Sequence, residues 1–204
     1  MPSIPRLNNA MDPLDTTDWT IELLRKRQQV SPKRLTAPGP SLSQIRQLFV
    51  AAAQAPDHGL ILPWRFVQFS DAARADLGEA FAAALVERDP TASAQQLRDA
   101  RDKAQRAPFV AVAIVRAHDD HREIPLAERI VSLGCALQNI LLAACAQGFG
   151  AGLVSGQAMD SHALRGLLSL RHGEQAICFI TIGTVKTSKA ARARPDPDAF
   201  VTVL

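Results

Sequence analysis

The spacing of apolar and polar positions changes period several times along the chain, and each change marks an element. Trp19 and Leu23 fall one turn apart, as do Ile21 and Leu24 on a neighbouring stripe. This predicts a helix from about Trp19, capped by Thr17 or Asp18 and closed before Pro32. After the loop TAPGPS, Ser41 or Ser43 caps a second helix with Ile45, Leu48, Phe49 and Ala52 on one face, ending near Pro56. RFVQFS has the two-residue period of a short strand. Leu77, Phe81 and Leu85 restore helical spacing over 72–87, DPTAS interrupts it, and a charged helix follows over 94–106.

APFVAVAIVRA is almost continuously apolar and rich in β-branched residues, as expected of a strand covered on both faces. The segment 124–147 is helical and apolar nearly all round, which places it at the centre of the molecule, with Gly148 and Gly150 stopping it. AGLVSG reads as a short strand and turn, SHALRGLLSL as a helix, AICFITIGT as a second buried strand. The tail begins polar and basic and closes with the β-prone AFVTVL. Residues 1–18 carry little apolar pattern and are expected to form a flexible arm, leaving 19–204 as one domain.

Composition narrows the classes. With 204 residues, 47% of them apolar, the chain can bury a full core. Its net charge of +3 is dispersed, with no lysine/arginine block to bind nucleic acid. No unbroken apolar run reaches the ~20 residues of a membrane span, and no basic-then-apolar leader opens the chain. Three cysteines, Cys135, Cys145 and Cys178, have no C-x-x-C spacing, which argues against a disulfide framework or a zinc site. Buried thiols in a reducing cytoplasm are the expectation.

No dinucleotide-type G-x-G-x-x-G, phosphate loop or G-x-S-x-G elbow is present. His118 and His121 flank two aspartates in a polar loop, and His162 and His172 suit surface positions. His58 sits between Pro56-Asp57 and Gly59, on a bent loop that either presents it to a ligand or closes the second helix. Lys186, Lys189, Arg192 and Arg194 form a cluster that suits a phosphate or a solvated loop.

Taken in order, LL-x-K-R, APDH followed by PW-x-F, KAQRAPFVAVAIV, GCALQNILLAACAQGFG, ITIGT and RPDPDAFVTVL resemble the flavin-dependent nitroreductase family, and within it the short YdjA-like bacterial subgroup. The resemblance covers about 20–204. It implies an α+β fold, a mostly antiparallel central sheet flanked by helices, in an intertwined homodimer whose C-terminal strands are exchanged. It further implies FMN at the dimer interface, NAD(P)H as co-substrate, and a nitroaromatic, quinone or similar small-molecule acceptor reduced in a ping-pong cycle.

By the same resemblance, Arg27, Gln28 and Gln29 match the run that meets the flavin phosphate, aided by Lys189, Arg192 and Arg194 from the tail. Gln54 and His58 would lie by the ring, with Leu153, Val154 and Ser155 against it. Ala143, Ala144, Cys145, Ala146, Gln147 and Gly148 match the nicotinamide region. No side chain is assigned an acid or base role, and no metal is expected. The chain departs from the family where Gln28 and Gln29 replace an arginine and a serine, where Gln54 replaces an arginine, and at Leu62, Leu153 and Val154. An alternative reading follows from these departures: the family fold with an altered cavity, non-catalytic or holding another apolar ligand.

Overall fold

A computed structural model describes residues 13–118, 123–190 and 192–204. Residues 1–12 of the expected arm, and His121, lie outside the described residues. The helices are α1 (Pro13–Lys26), α2 (Leu42–Ala52), α3 (Ala73–Arg88), α4 (Ala94–Asp102), α5 (Leu126–Ala146) and α6 (His162–Leu167). The strands are β1 (Leu35–Thr36), β2 (Trp64–Gln68), β3 (Phe109–Arg116), β4 (Gly150–Val154) and β5 (Glu174–Val185). The first helix opens at Pro13, before the expected caps Thr17 and Asp18. Proline suits a first helical position because its missing N–H would have no partner there.

All strand pairs are antiparallel, and β5 is the hub, bonded to β3, β4 and β1; β2 continues the sheet beyond β3. The helices cover both faces. Phe109, Ala111, Ala113 and Val115 of β3 join Leu48 of α2 and Leu133, Leu137 and Ile140 of α5 in one core. Val110, Val112 and Ile114 turn the other way, toward Leu77 of α3, Leu164 of α6 and Leu168 just beyond it. Strand β3 is therefore buried along nearly its whole length, as its apolar run demands.

A bulge in β5 shifts which of its residues face each layer. Ala113 pairs with Cys178 and Ile114 with Ala176, so Ile177 is the extra residue. Side-chain parity shifts there: Cys178, Ile180 and Ile182 face the α5 core, while Ala176 faces the α6 core. Of the thiols expected to be buried, Cys178 is, and burial pushes it up to about 11; Cys135 and Cys145 are half-buried.

By length and composition α5 could cross a membrane, although Arg129, Ser132 and Asn139 break its apolar run. In the fold those residues have partners. Ser132 accepts from the Trp64 indole (3.0 Å), Arg129 donates to the Ile124 and Arg116 carbonyls, and Asn139 donates to the Ala51 carbonyl at the end of α2 (3.1 Å).

Two other arginines fix connections. Buried Arg74 donates to the carbonyls of Ala104, Ala107 and Pro108, which holds the turn between α4 and β3. Arg65 forms a two-pronged pair with buried Glu174, both contacts at 2.8 Å. The Arg65 hydrogen bond draws the Glu174 carboxyl from its ordinary 4.5 to about 2, with the Arg171 backbone N–H and nearby positive charge adding to it. A depressed carboxyl contributes stability above its unfolded value and loses it as pH falls toward the folded value. Glu174→Gln is therefore expected to lower the melting temperature at pH 7. The gap to wild type should narrow between pH 4.5 and about 2 in a thermal-melt series. A gap that stays constant across that range would show that the pair does not carry the acid dependence.

Candidate functional site

The end of α1 returns to the sheet through Gln29 and Val30. Gln29 bridges Ala151 in parallel, and the Val30 N–H donates to the Ala151 carbonyl at 2.9 Å. The Gln29 side chain extends this pairing: its Nε2 donates to the Leu153 carbonyl (2.6 Å) and its Oε1 accepts from the Leu153 N–H (3.1 Å). The amide behaves as a one-residue strand on the free edge of β4. Gly152 permits the approach, since a Cβ there would lie 2.2 Å from the Val30 carbonyl oxygen.

This latch brings the end of α1 beside the end of α5 and the tail. A cavity of about 210 Å³ results, lined by Lys26, Arg27, Gln28, Arg34, Cys145, Gly148 and Lys189 among others. Four of the lining residues are cations and none is a carboxylate. Arg34 donates to the Thr187 carbonyl, which ties the start of the tail to the rim. Sequence reasoning found Arg27, Gln28, Lys189, Cys145 and Gly148 of this set. It missed Lys26 and Arg34. The LL-x-K-R motif includes Lys26, whereas Arg34 carried no local signal and is placed by its bond to the tail.

The remaining candidates are dispersed. Ala144 is in the core, Ala143 packs beside it, Ala146 is exposed, and Gln147 is tied to α2 through the Gln44 carbonyl and Gln47. Arg192 and Arg194 are exposed along the tail and do not line the recess. Val154 and Ser155 line a second cavity, on the α3 side of the sheet, while Leu153 packs against the α5 core. Gln54 is exposed beyond α2.

His58 is held rather than free. Its Nδ1 lies 2.6 Å from Oε2 of Glu128 in the first turn of α5. The loop that carries it is strained: Leu60 (φ 52°) and Leu62 (φ 48°) are left-handed without being glycine, next to Gly59 (φ 68°). Leu62 is fixed at both ends, its N–H by Asp57 Oδ2 (2.7 Å) and its carbonyl by Arg116. Among the described residues, no group of acidic, histidine or cysteine side chains is arranged to bind a metal.

An antiparallel sheet with helices on both faces, and a cation-lined recess beside a glycine-containing edge strand, defines an α+β fold. The family model described as "Nitroreductase family" matches residues 25–184. A Haemophilus influenzae protein named "Putative NAD(P)H nitroreductase" is 34% identical over 175 residues, covering 85% of this chain and 94% of its own length. The Escherichia coli protein named YdjA, of the same description, is 33% identical over 187 residues, 89% of this chain and 97% of its own. The chain belongs to the nitroreductase family.

Solved structures agree on the fold. A nitroreductase-like family protein from Bacillus cereus superimposes with a TM-score of 0.78 at 20% identity, covering 90% of this chain and 95% of that one. The FMN-dependent nitroreductase NfnB from Mycobacterium smegmatis, in complex with NADPH, gives 0.73 at 17%, covering 93% and 100%.

The latch can be tested apart from any ligand. Gln29→Ala removes two hydrogen bonds to Leu153, at a cost of about 1–3 kcal/mol in total. The Leu153 amide should then exchange with solvent at least tenfold faster, read by hydrogen exchange, while amides of β3 are unchanged. Unaltered exchange at Leu153 would mean that β5 alone holds β4.

Proposed function

We propose that the chain is an FMN-dependent oxidoreductase that oxidises NAD(P)H and reduces nitroaromatics, quinones or similar acceptors in two half-reactions. The observation that carries this reading is the recess with four cations and no carboxylate at the end of α1. Such a site favours a multiply charged anion, because arginine and lysine donors form charge-assisted hydrogen bonds with a phosphate. The names of the relatives and the NADPH complex of NfnB support the same chemistry.

On this reading Lys26, Arg27, Arg34 and Lys189 hold the phosphate, with Gln28 at the rim and Arg192 and Arg194 joining from the tail. Strand β4 runs from the recess at Gly150 to Val154, about 13 Å at ~3.3 Å per residue. That span suits a ligand with a phosphate at one end and a ring system at the other. Leu153, Val154 and Ser155 are the segment that meets the ring, with Leu153 turned toward α5 and Val154 toward the second cavity, and Gln29 keeps that segment in place rather than meeting the phosphate. Bound FMN supplies the hydride and electron chemistry. The protein positions it, excludes water and balances its charge. Of the stretch Ala143 to Gly148, Cys145 and Gly148 are open to the recess and face the nicotinamide.

The functional unit is a homodimer. Trp19, Ile21 and Leu24 of α1 and Ile130 and Val131 of α5 are exposed apolar residues, as are Phe200, Val201 and Val203 of the tail. Exposure on this scale marks an interface. Exchange of the tails between sheets would cover them, and His58 and Gln54 would then meet the ring across the seam. The alternative reading of an altered, flavin-free cavity rests on the lost cations and on the apolar Leu62, Leu153 and Val154; the cations Lys26 and Arg34 at the recess weigh against the first of these grounds.

Purified protein is expected to be yellow, to regain colour with added FMN after stripping, and to oxidise NAD(P)H when an acceptor is present. Arg27→Ala should weaken FMN binding about ten- to a hundredfold, the worth of one charge-assisted hydrogen bond. Colourless protein that FMN does not reconstitute would refute the proposal.

A further inference from the structure

A second cavity, of about 340 Å³, lies between α3, the turn 103–106 and the loop after β4. Its interior is apolar, formed by Leu77, Phe81 and Leu85 with Ala104, Val110 and Phe179. Phe81 and Phe179 meet edge to face, with ring centroids 5.3 Å apart. Lys103 and Arg106 also line it, as does Arg88, and no lining residue is acidic. Arg88 neighbours Asp89, whose carboxylate is engaged by Thr91. Lys103 and Arg106 have no salt-bridge or side-chain hydrogen-bond partner among the described residues. Arg74, bonded to the Ala104, Ala107 and Pro108 carbonyls, holds the turn that carries both of them.

An apolar interior of this size accepts a one- or two-ring body. Cations without carboxylate partners at its lining favour a negatively charged group on that body and leave a neutral analogue without the charge-assisted contact. We infer that this cleft binds a small organic anion with a ring-sized apolar body, an arene carboxylate being the simplest case. The wall of the cleft includes Val154 and Ser155, so a bound anion touches the segment proposed as the ring wall of the flavin slot without occupying the phosphate recess.

The test is isothermal titration of 2-naphthoate, and of its neutral analogue 2-naphthamide, into the full-length protein with and without saturating FMN. Naphthoate is expected to bind once per chain, with FMN present, at least tenfold more tightly than naphthamide. The double variant Lys103→Glu, Arg106→Glu should abolish that preference and leave naphthamide affinity unchanged. Ala84→Trp, which fills the cleft, should lose both ligands. Should that variant not fold, as judged by circular dichroism, the surface charge reversal still decides.

Equal affinities for the two ligands, or a preference that survives charge reversal, would overturn the inference. So would naphthoate binding that FMN abolishes, since the cleft would then belong to the flavin slot. If the protein binds no FMN at all, the proposed function fails, and the ligand comparison on the protein as purified still stands or falls alone.

Discussion

The arrangement of the candidate site depends on one constraint: the backbone of β4 is gripped from both sides. On one edge it is hydrogen-bonded to β5 from Gly150 to Val154. On the other, Gln29 and Val30 pair with Ala151 and the Gln29 amide pairs with Leu153. The second grip carries the chain leaving α1 onto the sheet edge beside the end of α5, adding to the direct packing of α1 on α5. Gly152 is the residue that makes the grip sterically possible, and any side chain there meets the Val30 backbone. Local backbone geometry thus works with electrostatics: the latched strand edge and the Arg34 bond to the Thr187 carbonyl together bring the cations to one recess.

Convergence has an electrostatic consequence. Lys26, Arg27, Arg34 and Lys189 around one recess repel one another, and no carboxylate among the lining residues offsets this. A fold that assembles such a cluster without internal compensation is stabilised by an anion that binds only the folded state. The contrast with Arg65 is informative. There the protein supplies its own counter-charge in Glu174, and the pair serves stability. The recess lacks that internal answer.

Much of the architecture was legible in the sequence. The unbroken apolar run of β3 announced a strand covered twice, and the near-uniform apolarity of 124–147 announced a long core helix, though Ile130 and Val131 lie exposed on its outer face rather than buried. What the pattern could not carry was long-range pairing. Gln29 reads locally as a departure from a family serine, and only the fold shows its amide bonded to Leu153, 124 positions away in the chain. The Ile177 bulge was hidden for the same reason, since AICFITIGT stays apolar on both parities.

For the site, the motifs marked Arg27, Lys189, Cys145 and Gly148 but not Arg34, which reaches the recess through a backbone carbonyl of the tail. The 143–148 stretch was read as one unit. In the fold its side chains divide between core, solvent, α2 and the recess, as helical geometry requires of six successive residues.

The most direct measurement compares FMN with riboflavin, which carries the same ring system and ribityl chain but no phosphate. If the four-cation recess holds the phosphate, FMN should bind at least a hundredfold more tightly than riboflavin at low salt, and the ratio should shrink as salt screens the recess. Equal affinities, unaffected by salt, would contradict the account at its centre.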